Sequence, residues 1–214
     1  MRSGLLLRMR DVALCLFYAK KNNQLLTKIQ LQKLIYLSDC LQMFMSISLL
    51  DKGHETYFHG PYDRNIQNAS DILVFRNMAE MHNVHFFGGN ISCQYELIES
   101  GENWVEYLRE NDQTALRVSS IIECLLEVLI KRDLLKEIKN IAYSEPLFVK
   151  NQKNGYGVTL DFNDLDENDV FNYLTIVLDA FEFEKETSKM MFVSDLFIDY
   201  LQKRMKALAT NQEV

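Results

Sequence analysis

Phe58-His59-Gly60-Pro61-Tyr62 is a short aromatic stretch with a Gly-Pro pair at its centre. A proline disfavours helical dihedrals in the residue before it, and its fixed φ suits the start of a helix. Asp63 follows as an N-cap, which predicts a helix over residues 64–82. We expect a structural corner here, in which Gly60 and Pro61 turn the chain while Phe58 and Tyr62 pack against the helix at Leu31–Leu37. Residues Phe58–Asp63 are called the Gly-Pro corner below.

Two helices are predicted before the corner. Apolar residues recur at helical spacing over residues 5–21, and the pattern ends in Lys20-Lys21. Thr27 and Gln30 then have the spacing of a capping box, in which side chain and backbone reciprocally satisfy the donors at a helix start. Leu31, Leu34 and Ile35 supply the buried face of this second helix.

A β-hairpin is predicted after the corner. Val84 and Phe86 precede Gly88-Gly89-Asn90, after which apolar and polar residues alternate as far as Leu97. Another helix begins near Trp104. Helix, helix, helix, hairpin, helix is the order of a winged helix-turn-helix domain, which we assign to residues 1–112.

Residues 113–214 are predicted to form a helical C-terminal region, packed on the first part as one compact unit. Their apolar residues have helical spacing, and the last helix, about 188–208, has apolar residues on more than one face. The whole chain is therefore expected to be mainly α with a small β-hairpin (α+β). A helix of this kind is either central to a core or covered by a partner. Four of its residues are the candidates for partner contacts: Met191, Phe192, Phe197 and Tyr200.

Composition favours an ordinary globular protein of the cytoplasm. Of the 214 residues, 48% are hydrophobic and 25% are charged. No apolar run reaches the roughly 18 residues that a membrane span needs. The net charge of −7 argues against a protein that coats DNA, because such proteins are usually basic.

Basic residues are nevertheless concentrated in the N-terminal part, where Asp11 is the only acidic residue before Leu34. A local DNA contact therefore remains an open alternative. The candidates for that contact are Arg8, Arg10, Lys20, Lys21, Lys28 and Arg64. Polar residues on the predicted third helix are candidates for contacts with a partner. They are Asn65, Gln67, Asn68 and Asp71.

The sequence gives little indication of catalysis, a metal or a cofactor. The 4 cysteines lie far apart without a CxxC pair, which favours buried free thiols. The 4 histidines are His54, His59, His82 and His85, and whether they converge is not set by their spacing. His82 and His85 with Asp63 would form an N/O ligand set, but surface or capping histidines are the simpler interpretation. No GxSxG motif or P-loop is present, so we expect no enzymatic activity, metal or cofactor.

Two resemblances connect these motifs to known prokaryotic families. Leu31-Gln32-Lys33-Leu34-Ile35-Tyr36-Leu37, followed by the corner, resembles the LQKLLY…YGP pattern of the Panacea (SocA-like) antitoxin domain. Residues 64–74 and the hairpin after them are similar to the small middle components of ABC-type three-component defence operons, such as the Lamassu systems. Such a component has no enzymatic activity and accompanies an SMC-like ATPase and an effector, commonly a nuclease. The chain departs from Panacea in its long helical C-terminal region and in having no acidic-aromatic stretch before Gly60, which favours the second family.

The resemblance implies a non-enzymatic accessory subunit that bridges an SMC-like ATPase and an effector nuclease in anti-phage or anti-plasmid defence. Its partners would be proteins in a hetero-complex, with DNA touched directly or indirectly and a homodimer as a further arrangement. One alternative is a Panacea-type antitoxin or adaptor that neutralises a toxin. Another is a winged-helix transcription regulator.

Overall fold

The computed structural model describes residues 3–44, 47, 53–162 and 169–210. The first part of the chain alternates helices with the strands of one small sheet. Its elements are α1 (Ser3–Lys21), β1 (Leu26–Thr27), α2 (Lys28–Phe44), α3 (Arg64–Phe75), β2 (Ala79–Phe87), β3 (Asn90–Leu97) and α4 (Glu99–Asn111). The second part is helical in its described residues. Its elements are α5 (Gln113–Lys131), α6 (Ile138–Tyr143), α7 (Pro146–Gln152), α8 (Asp169–Asp179) and α9 (Glu186–Thr210).

The chain is mainly helical with a small antiparallel sheet, which confirms the α+β expectation at that level. The strand order is β1-β3-β2, with the two-residue β1 on the far side of β3 from β2. Leu26 lies opposite Tyr95, and Ala79 lies opposite Leu97. The register of the hairpin shifts between His82 and His85, where Asn83 has a φ of +50°. The predicted hairpin is confirmed, and β1 is an addition to it.

The capping box that opens α2 is also confirmed. The backbone N of Gln30 donates to Thr27 Oγ1 at 3.2 Å, and the backbone N of Thr27 donates to Gln30 Oε1 at 2.9 Å. Gln30 continues to the second part of the chain, where its Nε2 donates to the carbonyl of Leu135 at 3.2 Å. The cap therefore fixes both the start of α2 and its approach to the loop before α6.

The third helix is shorter than predicted, because α3 ends at Phe75 and residues 79–87 form a strand. Asn77 has a φ of +54°, and the backbone N of Met78 donates to the carbonyl of Leu73 at 2.9 Å. This is the left-handed helix end that asparagine tolerates better than most residues. The predicted continuation of this helix through Asn77 to residue 82 is therefore wrong.

One hydrophobic core cluster contains residues from both parts of the chain. Helix α5 packs against α1, α2, α4 and α9, and its Ile122 and Leu125 are fully buried. The division at residue 112 stays a prediction, although a shared core links the two parts. None of the helices in the described ranges is long and apolar enough to cross a membrane.

The last helix, α9, supplies this core with five buried apolar residues, among them Phe197 at 1% exposure. The prediction that Phe197 contacts a partner is therefore wrong, because its ring is already enclosed by the protein's own core. Met191, Phe192 and Tyr200 are half-buried. Phe192 packs against Phe181 and Phe183, with ring centroids 5.2 and 5.4 Å away.

Candidate functional site

The Gly-Pro corner is fastened to α2 by hydrogen bonds. The side-chain amide of Gln32 makes two hydrogen bonds to the backbone of Asp63. Its Nε2 donates to the carbonyl of Asp63 at 2.8 Å, and its Oε1 accepts from the backbone N of Asp63 at 3.0 Å. The buried Lys33 Nζ donates to the carbonyl of Pro61 at 2.8 Å. Two residues of the Leu31–Leu37 stretch thus hold the corner directly.

The predicted aromatic packing against α2 is wrong for Phe58. Its side chain is 65% exposed and stacks on Tyr156, with ring centroids 4.0 Å apart. Tyr62 is half-buried and lies 5.2 Å from the ring of Tyr57. Polar side chains of α2 hold the corner from inside, so the two aromatic residues are not needed for that contact.

Gly60 is required at its position for two reasons. Its φ is +85°, which L side chains rarely adopt. A Cβ at this position would also overlap the ring of Tyr143 and lie 3.1 Å from Lys33 Nζ. The corner therefore accommodates the ring of Tyr143, whose hydroxyl donates to the carbonyl of Phe58 at 3.4 Å.

Asp63 connects the corner to a buried cluster of charged residues. As predicted, Asp63 caps α3, because its Oδ1 accepts from the backbone N of Asn65 at 2.8 Å. Its Oδ2 accepts from Arg8 Nε at 2.6 Å. Arg8 Nη1 donates to Asp39 at 2.7 Å and to Asp11 at 3.2 Å. We call Arg8, Asp11, Asp39, His54 and Asp63 the Arg8 cluster.

The Arg8 cluster is shielded from solvent, since none of its five residues is more than 3% exposed. Burial lowers the pKa of Arg8, but Asp39, Asp11 and Asp63 outweigh this effect and raise that pKa above its ordinary value. Burial lowers the pKa of His54, and the hydrogen bond to Asp39 opposes the shift only in part. Arg8 therefore stays charged at neutral pH while His54 is neutral. His54 Nε2 lies 3.0 Å from Asp39 and 3.1 Å from Arg8 Nη2.

A second buried polar pair continues from this cluster toward α7. The ring of Tyr36 lies edge-on to His54 at 5.1 Å, and its hydroxyl donates to Glu145 Oε2. Glu145 caps α7 by accepting from the backbone N of Phe148 at 2.9 Å. Burial raises the pKa of Glu145, although the bonds from Tyr36 and Phe148 oppose this. Polar bonds thus link α1, α2, the corner and α7.

The Arg8 cluster cannot meet a substrate in this conformation, because its side chains are enclosed. Its role is structural, because each carboxylate either binds and orients a guanidinium or caps a helix. The four histidines do not converge. His54 belongs to the cluster, His59 and His85 are exposed, and His82 lies on β2. Asp63 binds Arg8, so it does not complete a ligand set with His82 and His85.

The structure corrects the DNA prediction for two residues. Arg8 is fully buried, and Arg10 is 5% exposed and bound to Asp11 at 2.8 Å, so neither faces a phosphate. Of the other candidates, Lys20 pairs with Glu102, and Lys28 lies 3.6 Å from Asp71. Lys21 and Arg64 are exposed.

Three exposed aromatic residues lie together on the outer side of the corner: Tyr57, Phe58 and Tyr156, which are 43%, 65% and 55% exposed. We call them the aromatic surface. The backbone N of Thr56 donates to the carbonyl of Val158 at 2.8 Å, and the N of Gly157 donates to the carbonyl of Thr56 at 2.7 Å. These bonds hold the loop that carries Tyr156 against the strand-like segment that carries Phe58.

The polar candidates on α3 are distributed over its outer side. Asn65 and Gln67 are half-buried, and Asn68 and Asp71 are exposed. Gln67 Nε2 donates to Asp71 at 2.9 Å.

Asp39, Glu145 and Tyr156 were not among the residues predicted from the sequence. A signal existed for Asp39, because Gln32, Tyr36 and Asp39 follow each other at spacings of four and three, on one face of a helix. No such signal exists for Tyr156, which stands in a polar loop far from Phe58 in sequence. No known protein family, curated protein or solved structure matches the chain.

Proposed function

We propose that this chain is a non-enzymatic adaptor subunit that binds larger protein partners through the aromatic surface. The stacked pair of Phe58 and Tyr156 carries the proposal, because two large rings at 4.0 Å remain more than half exposed. Aromatic side chains are enriched at protein interfaces, where they lose little conformational entropy on binding.

The rigid support beneath this surface favours binding. Residues that hold an interface in its bound shape before the partner arrives reduce the entropic cost of association. The Gly-Pro corner has such support from Gln32, Lys33 and Arg8, which bind Asp63 and Pro61 from inside.

Within this class, the defence role follows from the resemblance of residues 64–74 and the hairpin to the small subunits of three-component defence operons. In that role the chain bridges an SMC-like ATPase and an effector nuclease in the cytoplasm. The element order, with β1 completing the sheet, supports the winged-helix interpretation of the first part.

The hairpin favours protein over DNA as its target. Residues 79–97 contain no Lys or Arg, and the paired residues Phe86 and Ile91 near its tip are 78% and 50% exposed. A wing that binds phosphate would be expected to have basic residues there. A transcription regulator is therefore the weaker alternative.

Co-expression with the neighbouring genes tests the proposal. The proposal predicts that a neighbouring gene encodes an SMC-like ATPase. The chain should co-purify with that protein and remain bound to it at high salt, because the contact is apolar. A chain that elutes alone after co-expression with each neighbour would refute the proposal.

A toxin-neutralising adaptor is the second candidate. The observation in its favour is the Gln32–Asp63 clamp, which joins the two halves of the Panacea-like pattern. Here the chain should restore growth of cells that express a neighbouring toxin gene. Failure of rescue with a well-expressed chain would exclude this candidate and leave the defence subunit.

A further inference from the structure

A histidine and two glutamates converge on the hairpin, away from the Gly-Pro corner. Glu80 lies directly opposite Glu96 in the register of β2 and β3, and His82 is two residues along β2 from Glu80. Residues two apart on a strand share a face, so the three side chains project from the same side. One ligand atom from each lies within 4.8 Å of the others.

The distances within this group suit an ion pair and also suit three ligands of one metal ion. His82 Nε2 lies 3.2 Å from Glu80 Oε1 and 3.0 Å from Glu96 Oε2. Despite these distances the nitrogen is shielded from solvent and makes no well-directed hydrogen bond to any described residue. Ligand atoms bound at 2.0–2.1 Å in a tetrahedron are about 3.3 Å apart, so the observed separations are close to those of a zinc site.

The charges of the group also call for a cation. Like charges directly opposite each other on paired strands are destabilising, and Glu80 and Glu96 are such a pair. Lys20 relieves this in part: its Nζ lies 4.0 Å from Glu96 Oε1 and is paired with Glu102. Glu96 Oε2, the oxygen that faces His82, is left for a further cation.

We propose that Glu80, His82 and Glu96 bind a divalent transition metal, with Zn²⁺ as the expected ion. The imidazole and the two carboxylates supply three of four tetrahedral positions, and the fourth is open to solvent because Glu80 is 54% exposed at its side chain. A bound ion would cross-link β2 to β3 on the side of the register shift that is away from the hairpin tip. It would thereby fix the direction in which the exposed tip of the hairpin projects.

Calorimetric titration of the full chain with zinc chloride tests this proposal, with the cysteines kept reduced. Wild type should bind one ion per chain. His82→Ala and Glu96→Gln should weaken that binding by about 100-fold or more, since even outer-shell changes cost 10–100-fold. His85→Ala is the matched control, because it removes an exposed histidine of the same strand beyond the register shift.

The result is decided by the pattern among these variants. Zinc binding that is lost with His82 and Glu96 but retained in His85→Ala supports the site. The site is refuted if wild type binds no zinc at millimolar concentration, or if His82→Ala binds as tightly as wild type. Thermal unfolding gives a second measurement: zinc should raise the melting temperature of wild type and of His85→Ala, and leave His82→Ala unchanged. The metal site and the adaptor role rest on separate residues, so either can fail without the other.

Discussion

The two sides of the Gly-Pro corner reverse the usual distribution of residue types. On the inner side, charged residues such as Arg8 and Asp39 are fully buried. On the outer side, Phe58 and Tyr156 are exposed and stacked on each other. Globular proteins usually bury aromatic rings and leave charges in water, so both sides depart from the common pattern.

The difference indicates a division of roles between the two sides. Buried charges need well-directed partners, and the inner side therefore permits few arrangements of the chain. We infer that the Arg8 cluster sets the geometry of the corner and that the aromatic surface, held in that geometry, binds the partner. Changes on the inner side should therefore reduce stability, and changes on the outer side should reduce binding.

The largest effect is expected from Arg8→Met. It leaves Asp11, Asp39 and Asp63 buried without their shared cation, and breaking a buried pair in this way costs about 3–5 kcal/mol. Urea unfolding followed by circular dichroism measures this change. Arg64→Met, at an exposed arginine beside the corner, should change stability by less than about 0.5 kcal/mol. Similar losses in both variants would show that the inner cluster has no special role.

Gly60→Ala should have the next largest effect, about 2–4 kcal/mol, because it combines a positive φ with overlap against Tyr143. Gly155→Ala is the matched control: Gly155 also has a positive φ, of +102°, but nothing lies within 4 Å of a Cβ built there. The difference between the two variants in urea unfolding isolates the close contact with Tyr143. Equal losses would mean that backbone strain alone explains the glycine.

Lys33 gives the inner side a pH dependence. Burial, with a smaller contribution from Lys139, lowers the pKa of Lys33 to about 7 in the folded chain, against an ordinary value of 10.5. Because the unfolded chain binds this proton more tightly, stability from Lys33 is complete above the ordinary pKa and is lost as pH falls to about 7.

Relative to Lys33→Met, wild type should therefore gain stability as the pH rises from neutral, by up to about 1.4 kcal/mol per pH unit. Urea unfolding of both proteins over this range measures the difference and cancels the titration of other groups. A difference that does not change with pH, or that falls, would contradict the burial of a neutral lysine at the corner.

The outer side should show the smallest effect on stability. Phe58→Ala is expected to change the free energy of unfolding by less than about 0.5 kcal/mol, since its ring is mostly in solvent. Thermal unfolding beside Arg8→Met makes the comparison direct. A loss as large as that of Arg8→Met would remove the distinction between the two sides.

Sequence reasoning identified the elements that depend on local signals. The Thr27–Gln30 capping box, the Asp63 N-cap and the Gly-Gly-Asn hairpin tip each contain their own cause within a few residues, and each is confirmed. The end of α3 was predicted wrongly although its cause is also local. Asn77 ends the helix by adopting a left-handed conformation, and the helical spacing of apolar residues does not predict that conformation.

The candidate site was harder to predict because its contacts are distant in sequence. Arg8 and Asp63 are 55 residues apart. Considered separately in the sequence, Arg8 is predicted to be a basic surface residue and Asp63 a helix cap. Phe58 and Tyr156 come together because backbone hydrogen bonds hold the loop around Tyr156 against the segment around Thr56. Nothing in the composition of either segment specifies that pairing.

The most direct test of the central claim compares partner binding by two aromatic variants. Phe58→Ala and Tyr107→Ala each remove a ring that is about two-thirds exposed, 65% and 61%, but Tyr107 lies on α4, outside the aromatic surface. In a binding titration with the SMC-like ATPase proposed above as the partner, Tyr107→Ala should bind as wild type does. Phe58→Ala should bind at least about 30-fold more weakly, the loss of one interface hot spot. Equal affinities for Phe58→Ala and wild type would contradict the claim that the outer side of the corner is the binding surface.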